Sequence, residues 1–424
     1  MSRILVLTFC AITIWGHSQD TFSKYFEEGS MRVDFMLAGN NTSEQVFMDQ
    51  VKKEPYWGGS KVNLVDTLNL GNFRYMVYDS LSGNLLYSRG FCSLFQEWQA
   101  TPEALKINRS FYETVVFPFP LNTIKLELYK RNRDNSMTLL LEHYICPRNY
   151  FIKEDILKFP VEQIKHSGEP AKSLDIVFLP DGYTKDEMGK FREDVNRFAG
   201  YLLKAKPFNG FTDMINIWCV LAPSQDSGTD IPGEGVWKTT ILNSSFYTFD
   251  TDRYLTTFDI KSVRDMAANA PYDQIYILVN TDIYGGGGVY NYYSLCSSDN
   301  FMSEQVFLHE FGHGFAGLAD EYYTSDVAVE EYYDLKVEPW EPNITTMADF
   351  GKKWKNMIAK GTPIPTPYDR RYFGKVGLFE GAGYSARNIY RPYYECTMKT
   401  LDAPDGFCPV CSKAIYDMLM FYVK

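Results

Sequence analysis

The segment His309-Glu310-Phe311-Gly312-His313 is followed closely by Gly317 and by Ala319-Asp320-Glu321. Residues four apart lie on one face of an α-helix about one turn apart, so both imidazoles can point at a single ion. This H-E-x-x-H pattern is typical of a catalytic zinc site in which the glutamate acts as a general base on a water beside the ion. We therefore predict that His309 and His313 bind zinc and that Glu310 is the catalytic base.

The third metal ligand is expected just beyond this helix. Gly317 is placed to form a left-handed cap that ends the helix and returns the chain, which brings Asp320 toward the ion as an oxygen ligand. Glu321 is an alternative, either as the ligand itself or as a partner that orients an imidazole N–H. A ligand from a following helix would instead be Glu330 or Glu331. The remaining histidines are not paired at ligand spacing, which argues against a three-histidine site: His17, His143 and His166.

A glycine-rich segment, residues 284–294, precedes the metal helix and contains four consecutive glycines. No Gly-Lys-Ser/Thr follows, so it is not a phosphate-binding loop. We interpret it as a turn leading into an edge strand that holds an extended peptide by main-chain hydrogen bonds, with an ordinary loop as the alternative. Gly287, Gly288 and Tyr290 are the predicted substrate-binding residues.

Downstream, Glu395-Cys396-Thr397-Met398 is followed by Phe407-Cys408-Pro409-Val410-Cys411. Together with the histidine helix, these residues resemble the IgA-peptidase family of metzincin-like zinc metallopeptidases. The resemblance covers most of the chain from about Leu174 onward. It includes three further segments: Leu179-Pro180-Asp181-Gly182-Tyr183, residues 226–235, and Glu380-Gly381-Ala382-Gly383-Tyr384.

The resemblance implies a zincin catalytic domain, one catalytic Zn²⁺ and hydrolysis of peptide bonds. It places Met398 in a methionine turn beneath the metal. It also makes Tyr384 the first choice for stabilising the oxyanion. Asp320 follows the second histidine one residue later than the usual metzincin spacing, and the IgA-peptidase resemblance accommodates this offset.

The composition indicates an exported protein that does not bind nucleic acid. A net charge of -11 on 424 residues argues against a nucleic-acid partner. Residues 1–18 have the pattern of a signal peptide, with Arg3 before a short apolar run and small residues before Gln19. No other apolar run is long enough to span a membrane. We expect a secreted or periplasmic protein, and the sequence does not indicate its oligomeric state.

Cysteine usage suggests a structural link near the predicted methionine turn. Cys10 lies in the signal peptide, which leaves seven of the eight cysteines in the mature chain. Cys408 and Cys411 could form a redox pair or half of a zinc ribbon, but no second close pair completes a ribbon. We predict a disulfide from Cys396 to Cys408 or Cys411 that clamps the turn.

Hydrophobic periodicity divides the chain into two domains. Residues 19–147 alternate with period two, as at Phe73, Tyr75 and Val77, and predict an antiparallel β-sandwich of roughly seven strands. Residues 148–173 are polar and interrupted by prolines, which is typical of a linker. Residues 174–424 alternate buried strands with amphipathic helices and predict an α/β catalytic domain, so the fold class is α+β. The sandwich is interpreted as a spacer or chaperoning module.

The acidic loop at residues 226–234 could hold a structural calcium ion through Asp226, Asp230 and Glu234. It lacks the residue order of an EF-hand, so a plain solvated loop is favoured. The functional hypothesis is a secreted zinc endopeptidase acting on extracellular proteins such as immunoglobulin A or other glycoproteins. The alternatives are a non-catalytic glycoprotein-binding protein with the zincin fold and a hydrolase of an amide in a cell-wall polymer.

Overall fold

The computed structural model describes residues 21–323 and 333–424. The predicted signal peptide, residues 1–18, therefore lies outside the described residues. So do Glu330 and Glu331, the alternative ligands from a following helix. In the part of the chain that is described, no helix is both long and apolar enough to cross a membrane.

The N-terminal domain is the predicted seven-stranded sandwich of two antiparallel sheets. One sheet has the order β2-β1-β5 and the other β4-β3-β6-β7. In β3, buried and half-buried side chains alternate residue by residue, which is the period-two pattern of a strand with one face in a core. The strands are β1 Phe26–Gly39, β2 Glu44–Glu54, β3 Phe73–Asp79, β4 Leu85–Phe91, β5 Arg109–Pro120, β6 Ile124–Arg131 and β7 Met137–Ile145, with a short helix α1 Leu94–Gln99.

The second domain is built on a six-stranded sheet with the order β12-β13-β11-β9-β10-β8. The four central strands run parallel, and β12 and β8 are antiparallel edges. The strand β8 falls inside the predicted linker 148–173, so that prediction was wrong for residues 161–165. The strands are β8 Val161–Lys165, β9 Leu174–Asp181, β10 Ile215–Val220, β11 Gln274–Val279, β12 Gly286–Val289 and β13 Tyr293–Ser297.

Helices cover this sheet, and a small hairpin is hydrogen-bonded to the loop at Asp320 and Tyr322. Thr184 and Glu187 form a capping box just before the first long helix, because each side chain satisfies a free backbone N–H of the other. The helices are α2 Met188–Lys204, α3 Ile260–Ala267, α4 Ser303–Ala316 and α5 Pro409–Val423, and the hairpin consists of β14 Phe379–Ala382 and β15 Ser385–Arg391. Gly317 ends α4 in the left-handed conformation, as predicted.

The two domains share one continuous hydrophobic core. Their interface also contains a buried ion-pair network, in which Arg32 of β1 contacts Asp34, Glu54 and Asp265, the last of these from α3. A buried charge of this kind is tolerated only when it is paired on several sides. The sandwich is thus fixed against the catalytic domain through its own polar and apolar contacts, which a loosely attached spacer would not require.

Candidate metal centre

Three side chains predicted to bind zinc converge at the end of α4. His309 Nε2 lies 3.1 Å from His313 Nε2. Asp320 Oδ1 lies 3.1 Å from His309 Nε2 and 3.3 Å from His313 Nε2. Donors about 2.0–2.1 Å from a tetrahedral ion are separated from one another by about 3.3 Å, so the triangle has the size of a zinc site.

The other nitrogen of each imidazole is held by a main-chain carbonyl. His309 Nδ1 lies 2.9 Å from the Thr397 oxygen, and His313 Nδ1 lies 2.6 Å from the Leu318 oxygen. A carbonyl can only accept, so each Nδ1 carries the proton and each Nε2 presents a lone pair. Asp320 Oδ1 faces both Nε2 atoms, at 3.1 and 3.3 Å. Two imidazole nitrogens and a carboxylate oxygen directed at one point are suited to hold a cation between them.

The electrostatics of the site likewise favour positive charge. Burial lowers the pKa of His313, but the Asp320 carboxylate outweighs burial and raises that pKa to about 9. Burial also lowers the pKa of His309, but the hydrogen bond with Asp320 outweighs burial and raises that pKa above its usual value. Although burial raises the pKa of Asp320, the two imidazoles hold it well below its usual range. A divalent cation would satisfy the same preference and displace the protons.

Met398 lies directly beneath the metal helix, where the resemblance placed it. It is fully buried, and a Cβ built on Gly312 would lie only 2.8 Å from its Sδ. A side chain at position 312 would press against this methionine, so glycine between the two histidines lets the helix rest closely on it. The neighbouring Thr397 carbonyl is the one bonded to His309, so the methionine turn, the residues around Met398, positions the first ligand.

Tyr384 contacts Asp320, one of the predicted metal ligands. It lies in the turn between β14 and β15, and its phenol donates a hydrogen bond to Asp320 Oδ2. The turn itself is bonded to the loop after α4, because Gly383 N–H donates to the Asp320 carbonyl and Tyr384 N–H to the Tyr322 carbonyl. In this arrangement the hydroxyl orients Asp320. The oxyanion role expected from the resemblance would require it to leave that carboxylate.

The predicted base, Glu310, lines a cavity of about 540 Å³ together with the three ligand residues. This volume lies in the range of ordinary ligand sites. Burial raises the pKa of Glu310, and the neighbouring histidines partly offset the increase. A carboxylate with a raised pKa beside a candidate metal site is suited to accept and then donate a proton.

The N-terminal domain forms one wall of this cavity, a feature that the sequence analysis missed. Glu97 of α1 faces the cleft and accepts a 2.5 Å hydrogen bond from the Tyr254 hydroxyl. Burial raises the pKa of Glu97 to about 7. Glu97 and Tyr254 are 157 positions apart, and no local pattern indicates that they meet.

The glycine-rich segment forms an edge strand, as predicted. β12 pairs antiparallel with β13 on one side and packs against α4 on its face. A Cβ on Gly288 would lie 2.2 Å from the Glu310 carbonyl oxygen, so only glycine allows this close approach. Ser297 N–H donates to the Gly285 carbonyl, so the main-chain groups of Gly285 face β13. Main-chain groups alternate in direction along an antiparallel strand. Those of Gly287 therefore also face β13, and those of Gly288 face the free side of the strand.

Tyr290 is not part of this binding edge. Its side chain is only 3% exposed and packs against Trp340, with ring centroids 5.9 Å apart. Its carbonyl accepts a hydrogen bond from Cys92 N–H of the N-terminal domain. Tyr290 therefore takes part in the contact between domains and also lines the cavity, and its role in binding substrate stays a prediction.

The carboxylates of the acidic loop accept hydrogen bonds from the main chain that follows it. Asp226 Oδ2 accepts from Thr239 N–H, and Asp230 Oδ1 accepts from Lys238 N–H. In residues 21–323 and 333–424 two groups of side chains have metal-ligand spacing, and neither includes these carboxylates or Glu234. The described carboxylates of this loop are therefore not gathered as a ligand group, and the calcium hypothesis gains no support from the structure.

The Glu321 side chain is not part of the group formed by His309, His313 and Asp320, but belongs to a second group of side chains. There its carboxylate joins Cys396, Cys408 and Cys411, and the four ligand atoms lie within 4.8 Å of one another. The predicted disulfide is absent: all seven cysteines in the described part of the chain are free thiols, and the sulfurs of Cys396 and Cys411 are 3.7 Å apart. The cysteines that were predicted to pair do lie close together, but they are thiols and not a disulfide.

Comparison with known families accounts for both domains. A family model described as IgA Peptidase M64 matches residues 162–375 and 369–419, more than half of the chain. A second model, described as Peptidase M64 N-terminus, matches residues 21–142. A search of curated proteins finds no match. The resemblance inferred from the sequence is thereby confirmed, and the chain belongs to the IgA Peptidase M64 family of metallopeptidases, with that family's N-terminal domain.

Proposed function

We propose that this protein is an exported, zinc-dependent endopeptidase that hydrolyses peptide bonds of extracellular proteins. The observation that carries the proposal is the convergence of three ligand atoms from His309, His313 and Asp320 beside Glu310 in an open cleft. Membership of a peptidase family supports the reaction, and the signal-like pattern of residues 1–18 supports export.

Zinc fits the donor set better than the harder divalent cations. Two imidazoles and one carboxylate are ligands typical of catalytic zinc, whereas magnesium and calcium favour all-oxygen sites. When bound, zinc would supply a Lewis acid that polarises a water molecule and the scissile carbonyl. The three side chains would hold it, with Thr397 and Leu318 carbonyls fixing the imidazoles and Tyr384 fixing the carboxylate.

Glu310 is proposed to take a proton from the attacking water and to pass it to the leaving amine. Its position next to His309 and its raised pKa suit both transfers. The three-ligand set also argues against the non-catalytic alternative, because structural zinc sites are closed by four protein ligands. A site that keeps an open position and a base is one arranged for chemistry.

The proposed substrate is an extended peptide lying along β12. Gly288 offers main-chain groups on the free side of this edge strand, and an added strand of substrate would use them. On the same strand, the main chain of Gly286 already pairs with that of Tyr254, so a shorter length of the edge is left for a substrate strand. Immunoglobulin A and other extracellular glycoproteins are the substrate classes we propose.

The test is a map of new peptide termini after the purified mature protein is incubated with a mixture of immunoglobulins, glycoproteins and cell-wall peptides. We expect defined cuts in proteins that disappear on chelation and return when zinc is restored. Release from cell-wall peptides alone would indicate the amide-hydrolase alternative. Tight retention of a glycoprotein without any cut, in the presence of stoichiometric zinc, would refute the peptidase proposal.

A further inference from the structure

A second group of ligand side chains lies beneath the catalytic centre. It consists of Cys396, Cys408, Cys411 and Glu321, which we call the thiol cluster, and all four side chains are buried. Cys396 precedes the methionine turn, Cys408 and Cys411 open α5, and Glu321 follows Asp320 in the loop after α4. Three separate segments therefore meet at one buried point.

The spacing of these atoms suits a metal ion. The sulfurs of Cys396 and Cys411 are 3.7 Å apart, whereas a disulfide requires about 2.05 Å. Two sulfurs at about 2.3 Å from a tetrahedral zinc ion are separated by about 3.8 Å, which is close to the observed distance. Glu321 Oε1 lies 3.1 Å from Cys411 Sγ and completes a four-membered donor set.

Backbone N–H groups point at two of the three sulfurs. Cys408 caps α5, and its sulfur accepts from Cys411 N–H at 3.5 Å, while Cys396 Sγ accepts from Cys408 N–H at 3.3 Å. The positive end of a 15-residue helix faces the cluster. Backbone N–H groups and a helix N-terminus both favour negatively charged sulfur.

Glu321 supplies an independent indication of a missing partner. It is fully buried, and its Oε2 atom has no hydrogen-bond partner among the described residues. Asn343 and Cys411 both contact Oε1 instead. An unpaired buried carboxylate oxygen is costly, and a cation at the centre of the cluster would remove that cost.

We propose that Cys396, Cys408, Cys411 and Glu321 form a second, structural zinc site. A closed, sulfur-rich set of four protein ligands is the arrangement of structural rather than catalytic zinc, and here a carboxylate oxygen takes the fourth position. The site ties the methionine turn to α5 and to the loop that carries Asp320. Glu321 N–H also donates to the Met398 carbonyl at 2.8 Å, so the second ion would fix the floor on which the catalytic ligands rest.

The test measures zinc in the full-length protein by mass spectrometry, with variants that remove each site. We expect about two zinc ions per chain in the wild type and about one in the double variant His309→Ala/His313→Ala. The double variant Cys408→Ser/Cys411→Ser should lose the other ion. Cys219→Ala, which replaces a buried cysteine of β10 outside the cluster, is the matched control and should retain both.

X-ray absorption keeps the proposal falsifiable if the cysteine variant does not fold. Zinc remaining in His309→Ala/His313→Ala should show sulfur neighbours at about 2.3 Å. A variant without zinc, or one whose zinc has only nitrogen and oxygen neighbours, would overturn the proposal. Titration of thiols in unfolded, chelated and unreduced protein gives a further check, because a disulfide in the cluster would remove two of the seven described thiols and would also overturn it.

Discussion

The hydrogen bond from Tyr384 to Asp320 offers a sharp test of how the metal centre is held. Tyr384→Phe removes only the hydroxyl that donates to Asp320 Oδ2. The ring should stay in place, because it packs edge-on against Tyr322 with centroids 5.5 Å apart. The change therefore isolates one bond to one ligand.

The size of the effect follows from the charge on the acceptor. A hydrogen bond to a charged group contributes about 1.5–3 kcal/mol. At about 1.4 kcal/mol for each tenfold change, its loss should weaken zinc binding by about 10- to 100-fold. With the metal saturated, catalysis should change little, because the hydroxyl acts on the ligand and not on the substrate.

The assay separates these two quantities. Zinc affinity is measured by competition with a chromophoric chelator, and kcat is measured at saturating zinc on a peptide identified from the cleavage map. Tyr390→Phe, on strand β15 and outside the cavity lining, is the control and should change neither value. If Tyr384→Phe lowers kcat about 100-fold while zinc affinity is unchanged, the hydroxyl stabilises the oxyanion and the positioning role is refuted.

Three further predictions concern the strand, the base and the cleft wall. Gly288→Ala should lower the free energy of unfolding by about 3 kcal/mol or more, because the new Cβ meets the Glu310 carbonyl. The control Gly200→Ala in α2 meets nothing within 4 Å and should be neutral or stabilising. Thermal denaturation compares the two variants, and equal stability would contradict the close packing. Because burial raises the pKa of Glu310 and a base must be deprotonated, kcat/KM should fall as pH is lowered through a value above the ordinary glutamate pKa of about 4.3, and a profile flat to that pH would argue against Glu310 as the base. Burial raises the pKa of Glu97 to about 7, so its carboxylate becomes charged as pH rises above that value and should then favour substrates with basic side chains. Glu97→Gln should abolish this pH-dependent preference, and a preference that persists in the variant would exclude Glu97 as its cause.

Local sequence signals were sufficient for much of the fold and for the core of the site. Period-two alternation indicated the sandwich, and the capping box at Thr184 and Glu187 marked the start of α2. The helical spacing of His309 and His313 and the glycine cap were enough to place Asp320 near them. In each case the interaction that shapes the structure lies within a few residues of the signal.

What the sequence missed depends on contacts between distant segments. Strand β8 lies in a polar, proline-rich stretch and is a strand only because it pairs with β10. Glu97 reaches the cleft through the packing of two domains. The Cys408-Pro409-Val410-Cys411 spacing suggested half of a zinc ribbon, and Cys396 was expected beside it. Glu321 could not be recognised as a neighbour of these cysteines, since it is 90 positions from Cys411.

The central claim is that Glu310 is the base of a metallopeptidase whose metal is held by other residues. Its most direct test compares Glu310→Gln with Glu304→Gln, an exposed change in the first turn of the same helix. The account predicts that both variants keep wild-type zinc content, and that Glu310→Gln alone lowers kcat by about 10²- to 10⁴-fold. Undiminished turnover by Glu310→Gln at full zinc occupancy would contradict the account.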